Sequence, residues 1–211
     1  QLNYSDVVSA IAMQKIQNGY KIFTCSHCSN EAGSCDVTRE LASRFAGLGK
    51  RTLMINGDLY GREEVSIDGA EQKKGFSDFI REEFPIKDIL TNQYKNKFFY
   101  IGRGSEIGWN KEQILCSPKV STLFSALNNE FDVIFCATPS LSAPVSGKQL
   151  CKLSDSVILV AAMGQTKKKQ IESAKEQLDE LEIPISGIIG TEAPKTAWEQ
   201  YIGRFDGQLV K

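Results

Sequence analysis

Residues 31 to 36 read Glu-Ala-Gly-Ser-Cys-Asp at a point where the flanking pattern predicts a phosphate-binding loop. An apolar, β-prone run at 21–25 precedes them, and a helical pattern follows at Val37, Leu41, Phe45 and Leu48. A phosphate-binding loop needs glycines, a lysine for the β and γ phosphates, and a Ser or Thr hydroxyl for magnesium. The residues inside the loop therefore decide whether it can hold a polyphosphate.

Most of these groups are missing from the loop. Gly33 is the one recognisable part, while Ser34 stands where the lysine is expected and Cys35 where the magnesium hydroxyl is expected. Asp36 adds a negative charge at a helix N-terminus, which suits the helix dipole but repels a triphosphate. The sequence predicts a degenerate nucleotide site at this loop.

Further stretches give the loop a family context. They are GKRTLMINGD at 49–58, GFSDFI at 75–80, ILCSPK at 114–119, FDVIFCATP at 131–139 and LSDSVILV at 153–160. In this order they resemble the cytoplasmic domain of the bacterial tyrosine kinases of polysaccharide export, within the MinD/ParA-like group of P-loop ATPases. The resemblance covers roughly residues 20 to 192. It implies a P-loop NTPase-like fold and a nucleotide site built on these stretches.

The departures from the family pattern fall on the residues that do chemistry. The first Asp of the Asp-x-Asp pair is Asn56, the second is retained as Asp58, and the Walker B Asp is Ala137. The base-contacting Asn is replaced by Thr191, and Tyr201 is the one tyrosine beyond it. Asp58 could act as a general base, but the simpler interpretation is a cap on a turn after a buried strand.

These losses lead to a functional prediction. Phosphoryl transfer depends on positioned charge, so the prediction is a catalytically inactive protein, a pseudokinase or pseudo-ATPase, without catalytic residues, cofactor or metal. The resemblance implies a regulatory or scaffolding role in exopolysaccharide or capsule biosynthesis and export. Two alternatives remain: a nucleotide-binding protein without hydrolysis, and an unconventional ATPase or tyrosine kinase whose lysine is Lys111, Lys148 or a partner's.

Six cysteines require a separate interpretation. Cys25, His27, Cys28 and Cys35 are close in sequence and include a Cys-x-x-Cys around the chain's only histidine. A zinc site needs a second pair of ligands, and a redox dithiol needs a lowered thiol pKa, so buried filler is the favoured interpretation. Cys116, Cys136 and Cys151 show no pairing pattern and are predicted to lie in the core.

Composition narrows the class of protein and its partners. The formal net charge of −1 disfavours nucleic acid as a partner, and unpaired cysteines suit a reducing, cytoplasmic compartment. No apolar run is long enough to span a bilayer. By the resemblance, a protein partner in the polysaccharide complex, such as a membrane-anchored chain-length module, would place the chain at the inner face of the plasma membrane. The oligomeric state is left open.

Strand and helix patterns alternate along one predicted domain, residues 1–211. Strands are predicted at 22–25, 51–55, 98–101, 133–136, 157–161 and 186–189, with amphipathic helices between them. This alternation predicts a three-layer α/β fold, a mostly parallel sheet with helices on both faces. Ligands of such folds bind at the carboxyl ends of the strands, where 28–35, 56–58 and 137–140 would converge.

Overall fold

Seven strands form one sheet in the part of the chain that the computed structural model describes, residues 4–29, 34–61, 74–82, 84–92, 97–105, 110–143 and 146–191. The strands are β1 (Ile22–His27), β2 (Thr52–Asn56), β3 (Thr91–Asn92), β4 (Phe98–Ile101), β5 (Val133–Thr138), β6 (Ser156–Ala162) and β7 (Ile185–Thr191). Their order across the sheet is β3-β4-β2-β5-β1-β6-β7. All neighbouring pairs are parallel except β3 with β4.

Helices connect these strands. They are α1 (Tyr4–Asn18), α2 (Ser34–Gly47), α3 (Phe76–Glu82), α4 (Ile86–Ile89), α5 (Lys111–Leu115), α6 (Pro118–Asn128), α7 (Ser146–Cys151) and α8 (Lys168–Asp179). Local sequence explains several of their ends. Ser117 caps α6 through its hydroxyl, which accepts from Lys119 N–H, and Pro118 occupies the first turn, where a missing N–H does no harm.

Both faces of the sheet are buried, because successive residues of each strand point to opposite sides. On β2, Leu53 and Ile55 pack in one apolar cluster with α3 to α6, whereas Met54 packs in another with α1 and α2. Three of the aromatic rings in the second cluster contact one another: Phe135 stacks on Phe23 at 5.8 Å and meets Phe45 at 5.2 Å between ring centroids. The predicted mostly parallel α/β sheet with helices on both faces is confirmed.

Some details differ from the prediction. The two-residue strand β3 was missed, and β5 and β7 extend beyond their predicted ends. Leu48 is 62 % exposed because α2 ends at Gly47, one residue before it. Cys116 is exposed rather than buried, since it follows α5 on the surface, whereas Cys136 and Cys151 are buried as expected. The prediction for Cys116 was therefore wrong.

Gly57 lies where the backbone after β2 passes close to its neighbours. A Cβ at this position would come within 2.6 Å of Leu150 Cδ1 and 3.0 Å of the Ala137 carbonyl oxygen. Gly57→Ala is expected to lower the free energy of unfolding by about 1–3 kcal/mol through overpacking, measured by urea denaturation. Gly47→Ala is the matched control, because a Cβ added there would have no described atom within 4 Å apart from its chain neighbours and the backbone of its own helix. Equal stability of the two variants would contradict this prediction.

Candidate functional site

The carboxyl ends of β1, β2 and β5 meet at one edge of the sheet. These strands are adjacent and parallel, with Cys25 and Asn56 each paired to Ala137 in the register. The segments that follow them therefore lie side by side, as expected for a ligand crevice of an α/β sheet. We refer to His27, Asn56, Asp58 and the first residues of α2 at this edge as the crevice.

The start of α2 is fixed by hydrogen bonds to two strand ends. Ser34 N–H donates to Nε2 of His27 at 2.7 Å, and the Ser34 hydroxyl donates to the Thr138 carbonyl at 3.2 Å. One turn later the Thr38 hydroxyl donates to the Ser34 carbonyl at 2.6 Å. Ser34 is fully buried as a result. The residue at the expected lysine position thus bonds to the protein itself.

Asn56 organises the turn after β2. Its Oδ1 accepts from the Cys35 thiol at 3.2 Å and from Asp58 N–H at 3.2 Å. The Asp58 carboxylate then accepts from Tyr60 N–H at 3.1 Å. The amide that replaces the family's first Asp therefore holds the turn together, and Asp58 caps it.

Two cations lie close enough to Asp58 to affect its ionisation. Burial raises the pKa of the Asp58 carboxyl, and backbone hydrogen bonds from Tyr60 and Gly61 and the charges of Arg103 and Lys111 oppose that rise. Arg103 Nη1 donates to the Gly61 carbonyl at 2.5 Å, and Lys111 Nζ lies 5.0 Å from the centroid of the Tyr60 ring. The crevice thus contains positive charge that comes from outside the loop.

A buried carboxylate holds the segment that carries Arg103. Asp78 is 5 % exposed and accepts from Gly75 N–H at 2.9 Å and from Ser105 N–H at 3.0 Å. The Ser105 hydroxyl also donates to Asp78. Gly104 has a φ of +87°, and a Cβ there would lie 2.5 Å from Asp78 Oδ2. Helix α3 and the segment after β4 are therefore joined at this carboxylate.

His27 is neutral, although its Nε2 lies only 3.9 Å from Oδ2 of Asp58. Burial lowers the pKa of His27 to about 4. The hydrogen bond from Ser34 also indicates a neutral ring, because Nε2 can accept from an N–H only when it carries no proton. The contact between His27 and Asp58 is therefore not an ion pair at neutral pH.

The residues at the family's magnesium positions do not fit that ion. Magnesium prefers hard oxygen ligands, whereas these positions hold a thiol and a methyl group, Cys35 and Ala137. Burial and the charge of Asp58 raise the pKa of the Cys35 thiol, so it keeps its proton. Within the described ranges, no three His, Cys, Asp or Glu residues are close enough together to hold a metal ion.

The cysteines of the Cys-x-x-Cys lie in different apolar clusters. Cys25 packs with α1 and α2, and Cys28 packs with α8. Burial raises the pKa of Cys25 to about 12 and that of Cys28 to about 11, so both thiols are protonated at neutral pH. Thiols of this kind are unreactive core residues.

The structure brings most of the predicted site residues together. Ser34, Cys35, Asn56, Asp58 and Ala137 all lie at the crevice edge. Gly33 lies outside the described residues. Asp36 belongs to the first turn of α2, but its side chain is 79 % exposed and pairs with Arg39 at 3.3 Å.

Sequence reasoning missed Arg103 and the hydrogen-bonding role of His27. Arg103 lies between two glycines in a segment without periodicity, which gives no signal of its own. His27 carried one usable signal, because the only histidine of the chain stands at the end of the strand before the loop. Lys111, named as an alternative source of charge, lies beside the crevice, and Lys148 lies half-buried on α7.

Sequence comparison relates the chain to bacterial tyrosine kinases. It is 26 % identical over 178 residues to AmsA of Erwinia amylovora, described as a candidate tyrosine-protein kinase, and 24 % identical to a similarly described protein in the cps region of Klebsiella pneumoniae. These matches cover 84 % and 90 % of this chain but only 24 % and 26 % of the relatives' lengths. Tyrosine-protein kinase CpsD of Streptococcus pneumoniae is 24 % identical, with 80 % and 74 % of the two chains covered. No family model matches the chain.

Solved structures show the same fold. The kinase domain of the Escherichia coli tyrosine kinase ETK superposes with a TM-score of 0.79 at 18 % identity, covering 96 % of this chain and 76 % of that one. The septum site-determining protein MinD of Pyrococcus horikoshii gives a TM-score of 0.61 at 16 % identity, covering 80 % and 68 %. The predicted resemblance to bacterial tyrosine kinases and to the MinD/ParA-like group is confirmed.

The prediction that the chain is not an enzyme was wrong. Its relatives are named as tyrosine-protein kinases, and the solved structures with its fold include a tyrosine-kinase domain. The physical reason lies in the crevice. The prediction gave most weight to the substitutions in the loop and at Asn56 and Ala137, whereas Arg103 and Lys111 bring positive charge to Asp58 from the segments after β4.

Proposed function

We propose that the chain is a nucleotide-dependent enzyme of the tyrosine-kinase type, with a regulatory role in the synthesis and export of capsule or exopolysaccharide. In this proposal, Arg103 and Lys111 interact with the phosphates of ATP in place of the absent loop lysine. One observation carries the proposal: both cations contact the turn that Asp58 caps, Arg103 through the Gly61 carbonyl and Lys111 over the Tyr60 ring, at the edge where β1, β2 and β5 end. That edge is where folds of this class bind their ligands.

The reaction is transfer of the γ-phosphoryl group of ATP to a tyrosine hydroxyl. The bond between the γ phosphorus and the bridging oxygen breaks and ADP leaves, while a new bond forms between phosphorus and the tyrosine oxygen. The hydroxyl proton passes to the Asp58 carboxylate, whose raised pKa suits a proton acceptor. Arg103 and Lys111 stabilise the charge that spreads over the phosphate oxygens. No step is assigned to magnesium, since the residues at its family positions do not fit the ion.

Removing either cation is expected to weaken nucleotide use. Arg103→Ala and Lys111→Ala should each raise the KM for ATP at least about tenfold, because each removes a charged partner of phosphate. Transfer of labelled phosphate from ATP to a tyrosine-containing peptide provides the measurement. Arg103→Lys should recover part of the loss, since it keeps the charge but not the planar group.

Lys168→Ala is the matched control for these variants. It also removes a cation, but Lys168 is 89 % exposed on α8 and pairs with Glu172. Its KM for ATP should remain that of the unchanged protein. A protein that binds ATP without turnover would contradict the enzymatic proposal, and unaltered kinetics in both crevice variants would contradict the role of the two cations.

The polysaccharide context is part of the same proposal. A relative from a cps region supports capsule or exopolysaccharide synthesis as the setting. Relatives about four times as long as the matched segment support a membrane-anchored chain-length module as the partner, at the inner face of the plasma membrane. In the described part of the chain, no helix combines the length and apolar character that crossing a bilayer requires. Residues 1–211 would act as one domain, which the common sheet of all seven strands supports.

A further inference from the structure

The amide at the start of α2 is occupied by a side chain of the protein. Backbone N–H groups at a helix N-terminus are the donors that bind phosphate oxygens in nucleotide sites. Here Ser34 N–H, at the position of the family's lysine, donates instead to Nε2 of His27 at 2.7 Å. A phosphate oxygen can accept from this N–H only after the imidazole has moved.

The imidazole that occupies the amide makes a hydrogen bond through only one of its two nitrogens, as far as the described residues show. His27 is 4 % exposed, and its Nδ1 has no hydrogen-bond partner among the described residues. Since Nε2 accepts from Ser34, the ring proton must be on Nδ1. A buried N–H without a partner destabilises the arrangement by about 1–3 kcal/mol. Displacement of the ring therefore costs less free energy than displacement of a fully bonded side chain would cost.

The surroundings of the ring determine what happens to it after displacement. Asp58 Oδ2 lies 3.9 Å from Nε2, the protonated Cys35 thiol bonds to Asn56 beside it, and Arg103 and Lys111 act on Asp58 from the other side. The ring is neutral in this position because burial opposes its charge. A ring that leaves the buried position regains its ordinary pKa, and a neighbouring phosphate would raise that pKa further.

We propose that His27 is a displaceable plug of the phosphate site, which yields the Ser34 amide to a phosphate oxygen of the nucleotide and takes up a proton as it does so. This inference rests on the proposed function, because it concerns the same crevice and the same ligand. The exchange is favourable because a hydrogen bond from an amide to a charged phosphate is roughly twice as strong as one to a neutral imidazole. The protonated ring then supplies a positive charge that the loop lacks.

Proton uptake makes nucleotide binding depend on pH. The affinity for ATP is expected to increase about tenfold from pH 8 to pH 6, since the complex holds a proton that the empty protein does not. Calorimetry in two buffers of different ionisation enthalpy should show up to one proton taken up for each ATP bound near pH 6. His27→Ala should bind ATP more tightly than the unchanged protein at pH 8, because the amide is already accessible, and should lack this proton uptake.

Two further measurements test the proposal even if His27→Ala fails to fold. His27→Gln keeps a polar side chain of similar length, and it should also lose the proton uptake. The chain has a single histidine, so nitrogen NMR of the imidazole in the unchanged protein is unambiguous. The empty protein should show a bare Nε2 at pH 6, and saturation with ATP should protonate both nitrogens.

The outcomes separate the two proposals. Binding of ATP with a bare Nε2 at pH 6, or equal proton uptake in the His27 variants, would overturn the plug and leave the proposed function intact. A protein that binds no ATP at any pH, in any of these variants, would overturn both. Lys168→Ala is again the control, and it should show the same proton uptake as the unchanged protein.

Discussion

Asp78→Ala is expected to lower the free energy of unfolding by about 3–5 kcal/mol, the loss typical of removing one partner from a buried ionic cluster. The Asp78 carboxylate accepts from the backbone of Gly75 and Ser105, and Arg81 Nη1 lies 3.7 Å from its Oδ1. Removing it leaves two amides and a largely buried guanidinium without this acceptor. Urea denaturation at neutral pH measures the loss.

Glu82→Ala is the matched control for Asp78→Ala. Glu82 lies on the same helix and contacts the same arginine, with 3.4 Å between Arg81 Nη2 and Glu82 Oε1, but its side chain is 52 % exposed. An exposed pair contributes about 0–1 kcal/mol, so this variant should be nearly as stable as the unchanged protein. Similar destabilisation of both variants would show that the contribution of Asp78 to the unfolding free energy does not depend on its burial.

The contacts of Asp78 with Ser105 and Arg81 should affect the proposed activity as well as the stability. Arg103 belongs to the segment that Asp78 holds through Ser105, and it reaches the Gly61 carbonyl beside Asp58. Asp78→Asn keeps the shape of the side chain and should unfold less readily than Asp78→Ala. Because Asp78→Asn holds the segment less firmly, the KM of this variant for ATP should rise, as the KM of Arg103→Ala does. Asp78 would thus be a positioning residue, which acts through Arg103.

Much of the fold could be predicted from the periodicity of the sequence. Strands of a parallel sheet buried on both faces are continuous apolar runs, and the runs ending in Ile55 and Cys136 are of this kind. Strand ends were less predictable because pairing with a neighbour, rather than side-chain type, extends β5 to Thr138. The antiparallel strand β3 has two residues, Thr91 and Asn92, which is too short for any periodic signal.

The position of the crevice could be predicted, but its bonding could not. Convergence of Ser34, Asn56 and Ala137 follows from the rule that parallel strands end at one edge. In contrast, Arg103 reaches Asp58 across 45 positions of sequence, and the route depends on how a segment with no periodic pattern folds over Asp78. Side-chain substitutions at the loop were visible in the sequence. Lys111 could be named as an alternative source of charge, but its place beside the crevice and the contribution of Arg103 could not be predicted. The prediction that the chain is not an enzyme followed from the visible substitutions, and the relatives named as tyrosine-protein kinases contradict it.

The stability of the protein should depend on His27 between pH 6.5 and pH 4. Burial lowers the pKa of His27 from its ordinary 6.5 to about 4. Above pH 6.5 the ring is neutral in both the folded and the unfolded chain, and its contribution is fully present. As the pH falls below 6.5, the unfolded chain takes up a proton that the folded chain excludes, so the contribution is lost. The expected loss by pH 4 is about 3 kcal/mol.

Other groups titrate in the same range, so the measurement needs a difference between two proteins. Asp58 acts with the opposite sign: burial raises the pKa of its carboxyl, so the folded chain binds a proton more readily and its contribution is lost as the pH rises. His27→Gln leaves Asp58 and every other carboxylate in place. The difference in unfolding free energy between the unchanged protein and His27→Gln, from urea titrations at pH 7, 5.5 and 4, should therefore fall by about 3 kcal/mol. A difference that stays constant over these pH values would mean that the folded protein tolerates a charged His27, and that the Ser34 amide does not hold the ring in its neutral form.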